Sequence, residues 1–262
     1  MKALRPFVPA LVLLTAMVCG VLWGSVCHGE GAFQDIDGKK AFAREISSRI
    51  EMAWKDWQGS LVVDDVEVEG AKGFLCSGKL RGPRLDIMEV QYVPEEGVSR
   101  ASYSDDLRLA AKAIEEGVAS WQRGYSHMDI PFPQGASCVF TLTPCDNVPV
   151  SVNSGSSSGD RKMTEDALYT YMLYRTPRTD DGTLKVLKGV ARAVSIGFEK
   201  WKKASYLVGI TASGGIAPSP APMGPGPGPV QGARGSGGKI SGGVMEAEVL
   251  YGYMIDRSDE DK

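Results

Sequence analysis

The feature that most constrains this chain is an amphipathic pattern that occurs three times and ends each time in a tryptophan. Aligned on Trp57, Trp121 and Trp201, apolar or small residues recur at relative positions i, i+3, i+4, i+7, i+11 and i+14. This spacing places them on one face of an α-helix, and the intervening residues are largely charged or polar. The sequence therefore predicts three long helices, each burying one stripe. The striped positions before the three tryptophans are Ala43, Ile46, Ser47, Ile50 and Trp54; Leu107, Ala110, Ala111, Ile114 and Val118; and Leu187, Val190, Ala191, Val194 and Phe198.

A small residue recurs directly before the fifth striped position of each copy, at Ala53, Gly117 and Gly197. Glycine inside a helix costs about 0.5–1 kcal/mol relative to alanine, so its reuse needs a reason. We interpret it as a position where another part of the backbone passes close to the helix.

A second, shorter pattern occurs twice, in residues 163–172 and 245–254, which share Leu-Tyr-x-Tyr-Met. These segments predict a short aromatic helix in the second and third copies. We expect an α+β fold of two or three related units, 33–98, 104–178 and 179–256, each with a long amphipathic helix followed by short strands and loops. The predicted core of the repeat comprises Trp57, Trp121, Trp201, Tyr169, Tyr171, Tyr251 and Tyr253.

Several strands are expected between the helices. Residues 61–69 are rich in β-branched side chains and predict a strand, and residues 73–80 and 85–93 predict two more. Segments 138–142 and 148–152 predict a hairpin, followed by a flexible loop at 153–159.

The most biased stretch is the Pro/Gly-rich loop 213–243. Its centre, residues 217–230, alternates Pro with small residues and can form neither a helix nor an interior strand. We expect an extended, partly polyproline-like loop, which either lengthens the surface of unit three or docks on a partner.

The N-terminus predicts export. Lys2 and Arg5 precede an uncharged run, residues 7–27, whose apolar centre is residues 10–22. Small residues suitable for a signal peptidase follow this centre at Ser25, Gly29 and Gly31. Residues 1–31 are either a cleaved signal peptide or an uncleaved membrane anchor, since 21 uncharged residues can span a bilayer. The remainder is expected to be periplasmic or extracellular, touching a membrane only through residues 7–27 if they are not cleaved.

The charge balance argues against nucleic-acid binding. The formal net charge is −3 at pH 7, and no basic patch with interleaved aromatic residues occurs.

Three cysteines lie beyond the N-terminal segment: Cys76, Cys138 and Cys145. Outside the cytoplasm, pairing is expected, either Cys138 with Cys145 or Cys76 with Cys138. One cysteine is left over in either scheme and is free or links two chains. No C-x-x-C spacing supports a metal site, so we predict no metal ligand.

Catalytic side chains are scarce. His127 is the one histidine beyond residue 31, and we interpret it as a packed or exposed loop residue rather than a catalytic base. Residues 232–241 resemble a phosphate-binding loop, but Ala233 and Ile240 stand where the pattern needs Gly and Ser or Thr. We therefore predict no catalytic, cofactor-binding or metal-binding residue.

These observations favour a non-enzymatic structural or protein-interaction module of the cell envelope or extracellular space. Its partner is another protein or a second copy of the chain, because duplicated units can leave unpaired faces. The alternatives are a periplasmic carboxylate-based hydrolase and a small-ligand binder that uses the four repeated tyrosines. Convergent acids with raised pKa values in a pocket would favour the hydrolase.

Overall fold

The computed structural model describes residues 36–70, 74–75, 78–94, 99–132, 145–213 and 230–255. Within these residues the fold is α+β, with five α-helices and three small antiparallel sheets, which confirms the predicted class. Residues 1–31, predicted as a signal peptide or anchor, lie outside the described part.

The helices form close to where the two sequence patterns predict them. In chain order they are α1 Ile36–Ser60, α2 Ser104–Gly124, α3 Glu165–Leu173, α4 Asp181–Ala204 and α5 Ala247–Ile255. All fifteen striped positions of the three long helices are buried. Each large apolar side chain among them contributes about 1.5–3 kcal/mol through removal from water.

Capping side chains define two helix starts. Asp180 accepts a hydrogen bond from the backbone N–H of Thr183 at 2.9 Å and begins α4. Thr164 accepts one from the N–H of Ala167 at 3.3 Å and begins α3. Helix α2 has no such side-chain cap: Ser104 lies inside its first turn, and Tyr103 occupies the cap position.

The short helices lie against pairs of long helices. Helix α3 contacts α2 and α4, and helix α5 contacts α4 and α1. The small residues of the long helices admit these contacts: a Cβ at Gly117 would lie 2.7 Å from Met163 Sδ and 3.1 Å from the carbonyl oxygen of Lys162. At Gly197 the nearest atoms belong to the side chains of Leu250 and Met245. Backbone therefore passes close to Gly117, whereas side chains fill the space at Gly197.

Residues 85–90 lie against α1 and α2, as α3 and α5 lie against the other two pairs of long helices. Sequence alternation predicts a strand here, but the segment is irregular. Its carbonyl oxygens at Met88 and Val90 accept hydrogen bonds from Arg49 of α1, and the N–H of Ile87 donates to Glu115 of α2 at 2.8 Å. These side chains satisfy the backbone groups that a strand partner would otherwise satisfy.

Twelve short strands lie within the described residues. They are β1 Val62–Asp64, β2 Val66–Gly70, β3 Phe74–Leu75, β4 Gly78–Arg81, β5 Tyr125–His127, β6 Cys145–Asp146, β7 Val150–Ser151, β8 Ser156–Ser157, β9 Ser205–Val208, β10 Thr211–Ser213, β11 Val230–Ser236 and β12 Lys239–Gly242. The sheet orders are β1-β4-β5-β8, β3-β2-β11-β10-β6 and β12-β9-β7. Every sheet combines strands from at least two of the segments 33–98, 104–178 and 179–256.

The strand predicted at 61–69 is divided in two. Asp65 adopts a φ of +56°, which breaks the extended chain between β1 and β2. Aspartate tolerates this left-handed conformation better than most residues. The two halves consequently join different sheets.

The loop predicted at 213–243 is wrong for residues 230–242, which form the consecutive strands β11 and β12 of two different sheets. Ala233 and Ile240 are buried in these strands, and Gly237, between them, has a φ of +82°. A Cβ at Gly235 would lie 2.5 Å from Val66 Cγ1, so this glycine permits close packing rather than flexibility. The proline-rich residues 214–229 lie outside the described residues.

The flexible loop predicted at 153–159 is also wrong. This segment packs on the end of α2: Ser157 donates a hydrogen bond to the carbonyl oxygen of Trp121 at 2.7 Å. A Cβ at Gly159 would lie 2.4 Å from the backbone of Ser120. The glycines that suggested flexibility allow a close approach to the helix. The hairpin predicted from 138–142 and 148–152 falls partly outside the described residues, and within them β6 pairs with β10 while β7 pairs with β9.

Candidate interaction site

The three repeated tryptophans meet at the centre of the long helices. Their ring centroids are 6.3 Å apart for Trp57 and Trp121, 5.8 Å for Trp57 and Trp201, and 5.4 Å for Trp121 and Trp201. Trp54 and Phe198 complete the cluster in edge-on or stacked contacts. Each tryptophan is at most 2 % exposed, so this position is packed core and not a binding site.

Glutamines that follow two of the tryptophans bind the indole groups. Trp57 donates its indole N–H to Gln122 Oε1 at 3.1 Å, and Trp201 donates to Gln58 Oε1 at 2.7 Å. The residue after Trp201 is Lys202, which cannot accept and instead pairs with Asp160 at 3.0 Å.

The four repeated tyrosines are half-buried on two helices. Tyr169 and Tyr171 lie on α3, whereas Tyr251 and Tyr253 lie on α5. Because the two helices contact different pairs of long helices, the four phenols do not line one pocket. Each of three rings has a cation over it: Arg175 over Tyr171 at 3.8 Å, Arg44 over Tyr251 at 5.5 Å and Lys200 over Tyr253 at 5.0 Å.

An open cleft of about 730 Å³ lies between α2 and α3, and we call it the tyrosine cleft. Leu168 and Gly117 form its floor, while Tyr171 and Tyr174 stand at its α3 side. Tyr174 is 82 % exposed, which is unusual for an aromatic side chain and is typical of a binding surface.

Charges of both signs surround the tyrosine cleft. Arg123, Lys162 and Arg175 contribute three positive groups, and Glu116 and Asp166 contribute two negative groups. With charges this nearly balanced, the cleft offers little net attraction to a strongly charged ligand.

A second cavity, of about 590 Å³, is polar and lies between the sheets. Asp65, Glu67, Lys79 and Arg234 are among its lining residues. The pKa of Asp65 is held below its usual value by the hydrogen bond and charge of Arg81. An aspartate with a lowered pKa is a poor general acid.

The acids with raised pKa values lie elsewhere. Burial raises the pKa of Asp106, which is paired with Arg178 at 3.2 Å. Burial also raises the pKa of Glu115, whose carboxylate accepts the N–H of Ile87. Neither carboxylate lines the tyrosine cleft or the polar cavity, and each has a structural partner.

His127 is packed, as one of the two interpretations had it, but it lies on strand β5 and not in a loop. Its side chain is buried: Nδ1 accepts the backbone N–H of Asp129 at 3.3 Å, and Nε2 lies 3.2 Å from Ser154 Oγ. Since Nδ1 accepts, the neutral imidazole carries its proton on Nε2 and donates it to Ser154. Burial lowers the pKa of His127 below its usual value.

The disulfide candidates are largely beyond what the structure describes. Cys76 and Cys138 lie outside the described residues, and Cys145 is placed by its backbone alone, opposite Ala212 in the pairing of β6 with β10. Their pairing therefore stays a prediction.

The described residues contain neither a metal-binding cluster nor a membrane-spanning helix. No three His, Cys, Asp or Glu side chains there come together as a metal ion would require. No helix in the same residues combines the length and apolar character needed to cross a bilayer.

Sequence reasoning missed the tyrosine cleft. Tyr174 and Arg175 follow the Leu-Tyr-x-Tyr-Met pattern directly, but no counterpart of Tyr174 occurs after the second copy, where Asp256 stands. That departure from the repeat was the available signal.

Comparisons with protein-family models, with curated proteins and with solved structures found no match to this chain.

Proposed function

We propose that this chain is an exported, non-enzymatic protein-interaction module of the cell envelope or extracellular space, and that it self-associates. The observation that carries the proposal is the tyrosine cleft, an open site beside the exposed ring of Tyr174. Tyrosine and arginine, the pair stacked at Tyr171 and Arg175, are enriched at protein interfaces. The proposal of export rests on the charge and apolar pattern of residues 1–31.

We further infer that the chain consists of three related units, 33–98, 104–178 and 179–256, arranged in a ring. Hydrogen bonds between the units support this. Trp57 of unit one donates to Gln122 of unit two, and Trp201 of unit three donates to Gln58 of unit one. The same glutamines donate to backbone of the preceding unit, Gln122 to the oxygen of Gly82 and Gln58 to that of Gly242.

The helix contacts support the same ring. Helix α3 of unit two lies between the long helices of units two and three, and α5 of unit three lies between those of units three and one. Residues 85–90 of unit one take the remaining place, between α1 and α2. Each unit thus covers the boundary with the next one.

The strands that follow the long helices repeat the pattern. Strands β1, β5 and β9 each pair with a later strand of their own unit, namely β4, β8 and β12. Each also meets the preceding unit: β5 pairs with β4, β9 pairs with β7, and Val63 bridges Gly238. A ring of three units accounts for all six contacts.

The hydrolase alternative is not favoured by the site. It requires acids with raised pKa values that converge on a pocket. The two buried acids with raised pKa values, Asp106 and Glu115, are paired with Arg178 and with backbone, away from the tyrosine cleft. A single ligand held by all four repeated tyrosines is disfavoured because the two pairs lie on different helices.

The test is the mass and oligomeric state of the protein purified from its native compartment, by light scattering with and without reductant. We expect an assembly larger than one chain. If reductant dissociates the assembly, a disulfide through the unpaired cysteine links the copies. If the assembly persists in reductant, non-covalent contacts link them. A clean monomer at all concentrations would contradict the proposed self-association.

A further inference from the structure

We propose that the tyrosine cleft of one copy binds the proline-rich segment 217–229 of a second copy. We call this segment the proline arm. The inference rests on the proposed self-association and names the surfaces that carry it.

The composition of the proline arm suits an aromatic site. It contains six prolines alternating with Ala, Ser, Gly and Met, and no charged side chain. Such a sequence favours polyproline II, which loses little conformational entropy when it binds. Aromatic grooves are the usual receptors of proline-rich segments, because the flat rings pack against proline.

The ends of the arm are held together by the fold. Residues 214–229 connect β10 to β11, and these strands pair with Ser213 opposite Arg234. A segment of 16 residues between these two paired strands reaches outward by at most about 25 Å if each half is polyproline II. This reach allows contact with a neighbouring molecule.

The tyrosine cleft provides matching chemistry. The exposed ring of Tyr174 is available for proline, and Arg175 is held by its contacts to the ring and carbonyl oxygen of Tyr171. The mixed charges around the cleft nearly balance, which suits an uncharged ligand better than an acidic or basic peptide. Its volume lies within the range of about 300–1,000 Å³ that ligand sites occupy.

At the matching place in unit three, a lysine of the long helix lies over the tyrosine ring. Lys200 precedes Trp201 there, and its Nζ lies 2.5 Å from the hydroxyl of Tyr253 and 5.0 Å from the ring centroid. Ser120 holds the same position before Trp121 and is too short to cover Tyr171. Each copy would therefore offer one open cleft and one arm, and such unlike surfaces join copies head to tail.

Binding of the arm is tested with a fluorescently labelled synthetic peptide of residues 214–229. The receptor is the full chain with its six arm prolines replaced by serine, so that its own arm does not compete. We expect saturable binding that weakens at least about tenfold in Tyr174→Ala and in Ser120→Lys, which copies the lysine of unit three. The matched control is Tyr206→Ala, an exposed tyrosine outside the cleft that should leave binding unchanged.

Assembly is tested by sedimentation of chains with one surface removed. The Tyr174→Ala chain and the six-serine chain should each be monomeric, whereas their mixture should form a dimer and nothing larger. Tyr174 is largely exposed, so its loss leaves the fold intact even if Ser120→Lys disturbs α2.

Three results would overturn the inference. If the wild-type chain assembles but neither surface variant changes that assembly, the arm and cleft are not the contact, although the proposed function stands. If the wild-type chain is monomeric and the peptide does not bind, the proposed self-association fails as well. Peptide binding to a chain that stays monomeric at every concentration would place the arm in its own cleft and exclude the second copy.

Discussion

Gln122 connects two neighbouring segments to α2 through one amide group. Its Oε1 accepts the indole N–H of Trp57 at 3.1 Å, and its Nε2 donates to the oxygen of Gly82 at 3.3 Å. Gln122→Leu would remove the hydrogen-bond partner of the Trp57 indole N–H and of the Gly82 carbonyl oxygen at a buried position. We expect the free energy of unfolding to fall by about 1–3 kcal/mol, measured by urea denaturation.

The control for this prediction is Gln91→Leu, at an exposed position, which should change stability by less than about 0.5 kcal/mol. The loss caused by Gln122→Leu should be smaller when it is made in a Trp57→Phe background, because the indole donor is then absent. Equal losses in Gln91→Leu and Gln122→Leu would show that the buried hydrogen bonds contribute little.

His127 should make the free energy of unfolding fall as the pH is lowered. Burial lowers its pKa in the folded state, so below about pH 6.5 the unfolded chain binds more protons than the folded chain. The free energy of unfolding should therefore decrease as the pH falls below 6.5, by at most about 1.4 kcal/mol per pH unit, and this contribution should be complete above that pH.

The measurement compares urea denaturation at pH 7.5 and pH 5.5 for the wild type and His127→Gln. The variant should be less stable at both values but should lose less on acidification. Asp106 and Glu115, whose pKa values burial raises, act in the opposite direction and are common to both proteins. Identical pH dependence in the two proteins would assign the effect to groups other than His127.

At the scale of elements, the end of α2 depends on a glycine outside it. A Cβ at Gly159 would lie 2.4 Å from both the carbonyl carbon and oxygen of Ser120. Backbone atoms cannot move aside as a flexible side chain can, so Gly159→Ala should push residues 156–160 away from the helix. We expect a loss of about 1–3 kcal/mol in thermal or urea unfolding.

Gly252→Ala is the matched control. This glycine lies within α5, and a Cβ there would meet no described atom within 4 Å. Alanine is the better helix former, so this change should stabilise the protein by about 0.5–1 kcal/mol. If both alanine variants shift stability in the same direction, close packing at Gly159 is not the reason for its glycine.

The helices were predictable because their cause is local. Charged residues separate the buried positions of each stripe, and Asp180 marks the start of α4 within the sequence itself. The strands were less predictable because their partners are distant: β2 pairs with β11, and nothing near residue 66 indicates residue 235. Glycine was the main source of error, since Gly159 and Gly235 are needed for close contacts that only the folded chain reveals.

The tyrosine cleft could be predicted in part. Tyr171 belongs to the repeated pattern, but the open space above it depends on Ser120, whose importance emerges only beside Lys200 and Tyr253.

For the whole molecule, the proline arm should contribute to assembly and not to folding. Deleting the proline arm, residues 217–229, leaves residues 214–216 to connect β10 to β11, which pair with each other, and loop length affects stability weakly. We expect the unfolding transition to stay within about 1 kcal/mol of the wild type while the sedimentation coefficient falls to that of a single chain.

The corresponding control keeps the length of the proline arm and replaces Met223 and Gly224 by alanine. This change preserves the six prolines and the absence of charge. This variant should still assemble. Loss of cooperative unfolding in the deleted chain would mean that residues 217–229 are part of the folded core.

The contact between α5 and α1 brings the last described element against the first. The N–H of Ala247 bonds Glu51 at 3.0 Å, and Arg44 lies over the ring of Tyr251. In the proposed ring of three units, this contact would correspond to the contacts of α3 with α4 and of residues 85–90 with α2. A short peptide joining residue 255 to residue 36 could close the chain into a covalent circle, and a cut between α3 and α4 would then give a circular permutant with the same neighbours around every tryptophan.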